Sequence, residues 1–108
     1  MKCIIRPRQL GKTTELIKLA SKGRYKLIVC HNQNEARRIF KLARNMDLNI
    51  PLPISYREFL DKSYCGNNIE AFLIDNVDLF LGYLTEVPIE VITITEEDKN
   101  GKEELSCM

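Results

Sequence analysis

Short apolar runs alternate with stretches of helical periodicity along this chain. The first run, Lys2-Cys3-Ile4-Ile5-Arg6, is apolar at its centre and predicts a short buried strand that Pro7 ends. From Lys12 to about Lys22 the apolar residues Leu16, Ile17, Leu19 and Ala20 recur at helical spacing, and Gly23 fits a C-terminal cap. Lys26-Leu27-Ile28-Val29-Cys30 predicts a second strand. Asn32 stands three residues before Glu35, a capping pattern with Asn in the Ser/Thr role. The helix it opens buries Ala36, Ile39, Phe40 and Ala43, with Met46 at its end.

Pro51-Leu52-Pro53 forces extended chain, and Ser55 followed by Glu58 is a second capping box, opening a short helix to about Lys62. Cys65-Gly66-Asn67-Asn68 reads as a turn. Residues 71–75, Ala-Phe-Leu-Ile-Asp, form an apolar run closed by an acid, and a short helix over residues 76–84 follows. Residues 89–94 are rich in β-branched side chains and predict a last strand. This alternation predicts an α/β domain over residues 1–95, with a mainly parallel sheet of about four strands between helices in three layers. Residues 96–108 read as a polar, flexible tail.

Composition narrows the class. With 108 residues, 44% hydrophobic and 29% charged, the chain suits one globular domain with a core. No apolar run nears the roughly 18 residues of a membrane span, and the N-terminal apolar stretch is too short for a signal peptide. The expectation is a cytoplasmic protein without a membrane partner. The four cysteines lack zinc-ligand spacing, so Cys3 and Cys30 read as small apolar strand residues. With one histidine, His31, a His/Cys metal centre is not expected. Charge is divided unevenly: residues 1–48 carry a net +9 and residues 49–108 a net −8. A basic first half suits a polyanion such as nucleotide or nucleic acid, although the two halves could equally neutralise each other within one domain.

Candidate chemistry gathers at Arg6-Pro7-Arg8-Gln9-Leu10-Gly11-Lys12-Thr13-Thr14. It matches the phosphate-binding pattern G-x-x-x-x-G-K-[ST] except that Arg6 replaces the first glycine, and it sits between a predicted strand and a predicted helix. Free amides at a helix start point toward a phosphate, and Gly11 removes a Cβ from its path. Lys12 supplies charge to phosphate oxygens and Thr13 a hydroxyl to Mg²⁺. Asp75 ends a predicted buried strand 62 residues after Thr13, where an acid could hold Mg²⁺ directly or through water. On the helix after the second strand, Arg37, Lys41 and Arg44 share one face and, with Arg38, make a candidate nucleic-acid patch; the plain alternative is a solvated face.

The segment "PRQLGKTTELI" resembles the Walker A segment of the ATPase domain of bacteriophage large terminases and, more loosely, that of helicase superfamily 1 and 2 cores. The resemblance implies a P-loop fold, binding of ATP with Mg²⁺, and a Walker B role for Asp75. It makes the missing first glycine an ordinary variant. It implies that Arg8 stabilises charge on the transferring phosphoryl group, that Gln9 lies near the nucleotide, and that Leu10, Gly11, Lys12, Thr13 and Thr14 complete the loop. It adds Thr93 and Thr95 as candidates for a γ-phosphate coupling motif. One departure is chemical: the glutamate that activates water after the Walker B acid is here Asn76, which cannot accept a proton. Asp78 lies nearby but out of register. These 108 residues also stop short of a terminase's further strands and nuclease domain, and of a helicase's second domain.

The reading that follows is a minimal ATP-binding protein of phage type, weak or inactive in hydrolysis, acting as a switch or accessory factor beside DNA or a larger phage or host protein. Two others stand beside it. One is an active small ATPase that assembles or borrows catalytic residues. The other is an interaction or inhibitor module that keeps the fold without nucleotide.

Overall fold

Four successive buried residues, Leu27, Ile28, Val29 and Cys30, can sit only in a strand covered on both faces. In the computed structural model, which describes residues 1–6, 11–64, 66 and 68–95, that strand is the centre of the sheet. The elements run α1 (Lys12–Lys22), β1 (Lys26–Cys30), α2 (Gln33–Asn45), β2 (Ile54–Ser55), α3 (Tyr56–Asp61), β3 (Ala71–Ile74) and α4 (Val77–Tyr83). The sheet order is β2-β1-β3, with both pairings parallel. Registers of Leu27 with Phe72 and Ile28 with Leu73 put alternate residues on opposite faces.

One face carries the aliphatic core. Ile28 and Cys30 pack there with Ile17 and Ala20 of α1 and with Ala36, Ile39 and Ala43 of α2, and Leu73 closes against them. The other face is aromatic. Phe59 of α3 meets Phe72 edge-on at 4.9 Å and Phe80 of α4 at 5.8 Å, and Tyr56 meets Phe80 at 5.0 Å. The molecule is therefore α/β, with α1 and α2 on one side of a parallel sheet and α3 and α4 on the other.

Local signals explain the helix starts. Asn32 Oδ1 accepts the Glu35 amide at 2.8 Å, but the reciprocal arm is missing because Glu35 bonds Arg38 instead. Ser55 forms the full box: its hydroxyl accepts from the Glu58 amide and its amide donates to the Glu58 carboxylate.

The sheet has three strands, fewer than the four expected, and two predicted strands do not form. Residues 2–6 and 89–94 have no ladder pairing, while the short strand β2 forms in what read as an extended connection. Strand preference needs an edge to pair with and a surface to cover. Residues 3–6 lie near the end of β3, around a cavity shared with Ile74, Ile92 and Ile94, without joining it. Arg6 turns its guanidinium onto the Ile5 carbonyl, at 3.4 Å, and onto Glu15, at 3.1 Å. Ile92 and Ile94 reach that cavity, but residues 89–94 pair with no strand and Val91 is 75% exposed. The tail expected over residues 96–108 lies outside the described residues. Among those described, no helix is long and apolar enough to cross a membrane.

Candidate functional site

The site lies at the carboxyl ends of β1 and β3, where parallel sheets present loops and helix starts to ligands. The Asp75 amide donates to the Val29 carbonyl at 2.9 Å, which carries the β1–β3 ladder one residue past β3. The carboxylate of Asp75 is thereby placed at the strand tip, and the residue is only 3% exposed.

The start of α1 faces this tip. Gly11 has φ +85, a left-handed conformation that strains any residue with a Cβ, and a Cβ there would meet nothing within 4 Å. The first helical bond runs from the Glu15 amide to the Gly11 carbonyl at 2.9 Å, and Gly11 has no side chain to cap the amides ahead of it.

Two side chains of this first turn reach across to the segment after β3. Lys12 Nζ donates to Asn76 Oδ1 at 2.9 Å, and Thr13 Oγ1 donates to Asp75 Oδ2 at 3.3 Å. Burial raises the Asp75 pKa above the ordinary aspartate range, and the Thr13 hydrogen bond and the Lys12 charge offset that only in part. Among the described residues no ion pair neutralises this carboxylate. A buried acid thus stands beside a helix start whose N-cap residue has no side chain.

Asn76 has φ 58 and ψ 66, left-handed backbone that asparagine tolerates better than most residues. It is held there from behind. The Tyr56 hydroxyl donates to the carbonyls of Asp75 at 2.7 Å and Asn76 at 3.0 Å. Burial, and then the nearby Asp75 carboxylate, push the Tyr56 phenol well above its ordinary range, so it remains a donor. Tyr56→Phe keeps the ring contacts and leaves two carbonyls without that donor. We expect a loss of about 1–3 kcal/mol, read as a lower urea midpoint with an unchanged slope. An unchanged midpoint would mean the hydroxyl does not hold this segment.

An open cleft of about 530 Å³ fronts these groups. Its lining includes Gly11, Lys12, Thr13, Thr14 and Asn76 from the expected set. Asp75 lies behind it, joined through Thr13. Arg8, Gln9 and Leu10 lie outside the described residues. Thr93 and Thr95 are exposed and are not among the residues that line the cleft. The basic patch divides: Arg37, Lys41 and Arg44 are exposed on α2, whereas Arg38 lines the cleft. Glu35, Leu42, Asp78 and Leu79 line it too. Sequence periodicity marked Glu35 only as a capping residue and gave Tyr56 no role beyond the start of α3.

Other candidate chemistry is quiet. The Cys30 thiol is pushed up to about 12, by burial first and then by neighbouring carboxylates, which leaves it protonated and inert. Among the described residues, no group of three or more His, Cys, Asp or Glu gathers as a metal site. In comparisons with known proteins, no family model, no curated protein and no solved structure matches this chain.

Proposed function

We propose that the cleft binds ATP together with Mg²⁺ and hydrolyses it weakly or not at all, so that the protein acts as a nucleotide-dependent switch or accessory factor. The observation that carries this reading is a convergence. Lys12 and Thr13, adjacent at the start of α1, meet Asn76 and Asp75, adjacent at the tip of β3, through hydrogen bonds spanning 64 and 62 residues of chain. A cation for phosphate, a hydroxyl for a metal and the amides at the start of α1 then front one cleft, with the buried acid directly behind it.

The donor set fits magnesium in a shared site. Magnesium commonly takes one or two protein oxygens and fills its shell with phosphate oxygens and water. Thr13 and Asp75 would supply the protein oxygens. Held there, magnesium would supply positive charge against the phosphates. The chain's own residues do the rest: Lys12 leaves Asn76 for a phosphate oxygen, and the amides after Gly11 cradle another. Asn76 can orient a water through its carboxamide but cannot take its proton, which supports binding over turnover. The terminase-like loop supports a P-loop assignment of phage type, with Arg8 and Gln9 as further nucleotide contacts.

A partner reading accompanies this one. Between residues 77 and 94 the side chains of Leu84, Val87, Ile89 and Val91 are exposed, apolar surface that suits docking on a larger phage or host protein. Arg37, Lys41 and Arg44 give α2 an exposed cationic face suited to a DNA backbone.

Thermal unfolding with Mg-ATP tests the core claim. At a hundredfold excess over the dissociation constant, ATP should stabilise the fold by about 2.7 kcal/mol, while phosphate release stays near background. No shift at millimolar ATP would favour the scaffold module instead. Robust release that Lys12→Ala abolishes would favour an active ATPase.

A further inference from the structure

We propose that Arg38 is a phosphate contact of this cleft, held in reserve by Glu35; the proposal rests on the nucleotide-binding reading above. Arg38 Nε donates to Glu35 Oε1 at 2.9 Å and Arg38 Nη2 to Glu35 Oε2 at 2.6 Å, a bidentate fork. Both residues line the cleft that Gly11, Lys12, Thr13 and Thr14 also line. The neighbouring Arg37 points elsewhere, donating to Asn34 Oδ1 at 2.9 Å, and it is exposed away from the cleft.

The two partners differ in freedom. The Glu35 side chain is 19% exposed, and its backbone is pinned by the Asn32 cap. The Arg38 side chain is 57% exposed and can swing. The fork that fits a carboxylate also fits a phosphate, with the same two parallel hydrogen bonds. Because a phosphate offers the same two hydrogen bonds and more negative charge, it can replace the carboxylate on the exposed Arg38 side chain. The pairing with Arg38 holds the Glu35 carboxyl below its ordinary range, so Glu35 keeps its hold across neutral pH. Glu35 therefore aims Arg38 and keeps it off wrong partners, and a phosphate entering beside Lys12 takes it over.

Calorimetric titration of the full chain with Mg-ATP tests this. Arg38→Gln should weaken binding roughly tenfold or more, the loss of a charge-assisted contact. Arg38→Lys should recover only part of that loss. Glu35→Gln, which frees Arg38, should tighten binding about two- to fivefold, and this gain should vanish in the Arg38→Gln background. Lys18→Gln, which removes a charge from an exposed site on α1, serves as the control for net charge. Binding by Arg38→Gln within about twofold of wild type, with binding strongly weakened by Lys12→Ala, would overturn the Arg38 contact and leave the nucleotide site standing. An equal gain from Glu35→Gln in both backgrounds would reduce Glu35 to a bystander charge and overturn the reserve. Failure of the wild type itself to bind would remove the nucleotide reading and this contact together.

Discussion

Lys12→Ala is expected to remove most of the stabilisation that Mg-ATP gives the wild-type chain while leaving the fold in place. Lys12 is half-buried and gives its ammonium to the side-chain oxygen of Asn76, not to an acid. Breaking that bond leaves a neutral carboxamide that water can reach from the cleft, so stability without ligand should change by about 1 kcal/mol or less. Binding should change far more. Phosphate in this cleft would lose its nearest cation, and charge-assisted contacts contribute about 1.5–3 kcal/mol each. A loss of that size weakens binding about 12- to 160-fold, which would cut the increment of about 2.7 kcal/mol at a hundredfold excess to about 0.3–1.3 kcal/mol. Melting curves across an ATP series check it, since the wild-type midpoint should climb and the variant's should lag well behind it. A variant that climbs in parallel with wild type would place the phosphates away from α1.

Asp75→Asn should separate stability from binding in the opposite sense. The Asp75 carboxyl titrates above the ordinary aspartate range because burial penalises its charge. The folded protein then binds a proton that the unfolded chain has already released. Stability therefore falls as pH rises from the unfolded aspartate value through the raised folded one, and the full penalty remains above it. Asparagine removes the charge and still accepts the Thr13 hydroxyl. Asp75→Asn should match or exceed wild-type stability at neutral pH and lack the decline that wild type shows on leaving acid. It should also lose the Mg²⁺-dependent part of ATP binding. Urea unfolding at a series of pH values, without metal, tests the first half, and ATP titration with and without Mg²⁺ tests the second. A loss of several kcal/mol at neutral pH would make Asp75 a structural tie and sink its role as a cation ligand.

Much of the scaffold could be read from local pattern. The periodic stripe of α1, the four-residue apolar run of β1 and the Ser55–Glu58 box each specify their own element through neighbours in sequence. Residues 2–6 and 89–94 carry strand-like composition too, but a strand exists only against a partner, and pairing is not written in either segment. The α2 arginines show the same limit. Spacing groups Arg37, Lys41 and Arg44 on one face, yet whether the next residue faces solvent or the cleft depends on how Ala36, Ile39 and Ala43 seat the helix on the sheet. Lys12, Thr13, Asp75 and Asn76 were visible as residues at suggestive spacings. Their bonds across more than 60 residues were not, and neither was the phenol of Tyr56 that holds their far side.

The left-handed backbone at position 76 bears on how such a chain can drift. Asparagine, aspartate and glycine enter that region at low cost, whereas glutamate has no short side-chain bond to offset it. A single codon change to glutamate would therefore supply a proton acceptor only by bending the entry to α4 away from its tyrosine clasp. Substitutions tolerated at this site should run among Asn, Asp and Gly, and of these only Asp would bring a proton acceptor without reshaping the turn.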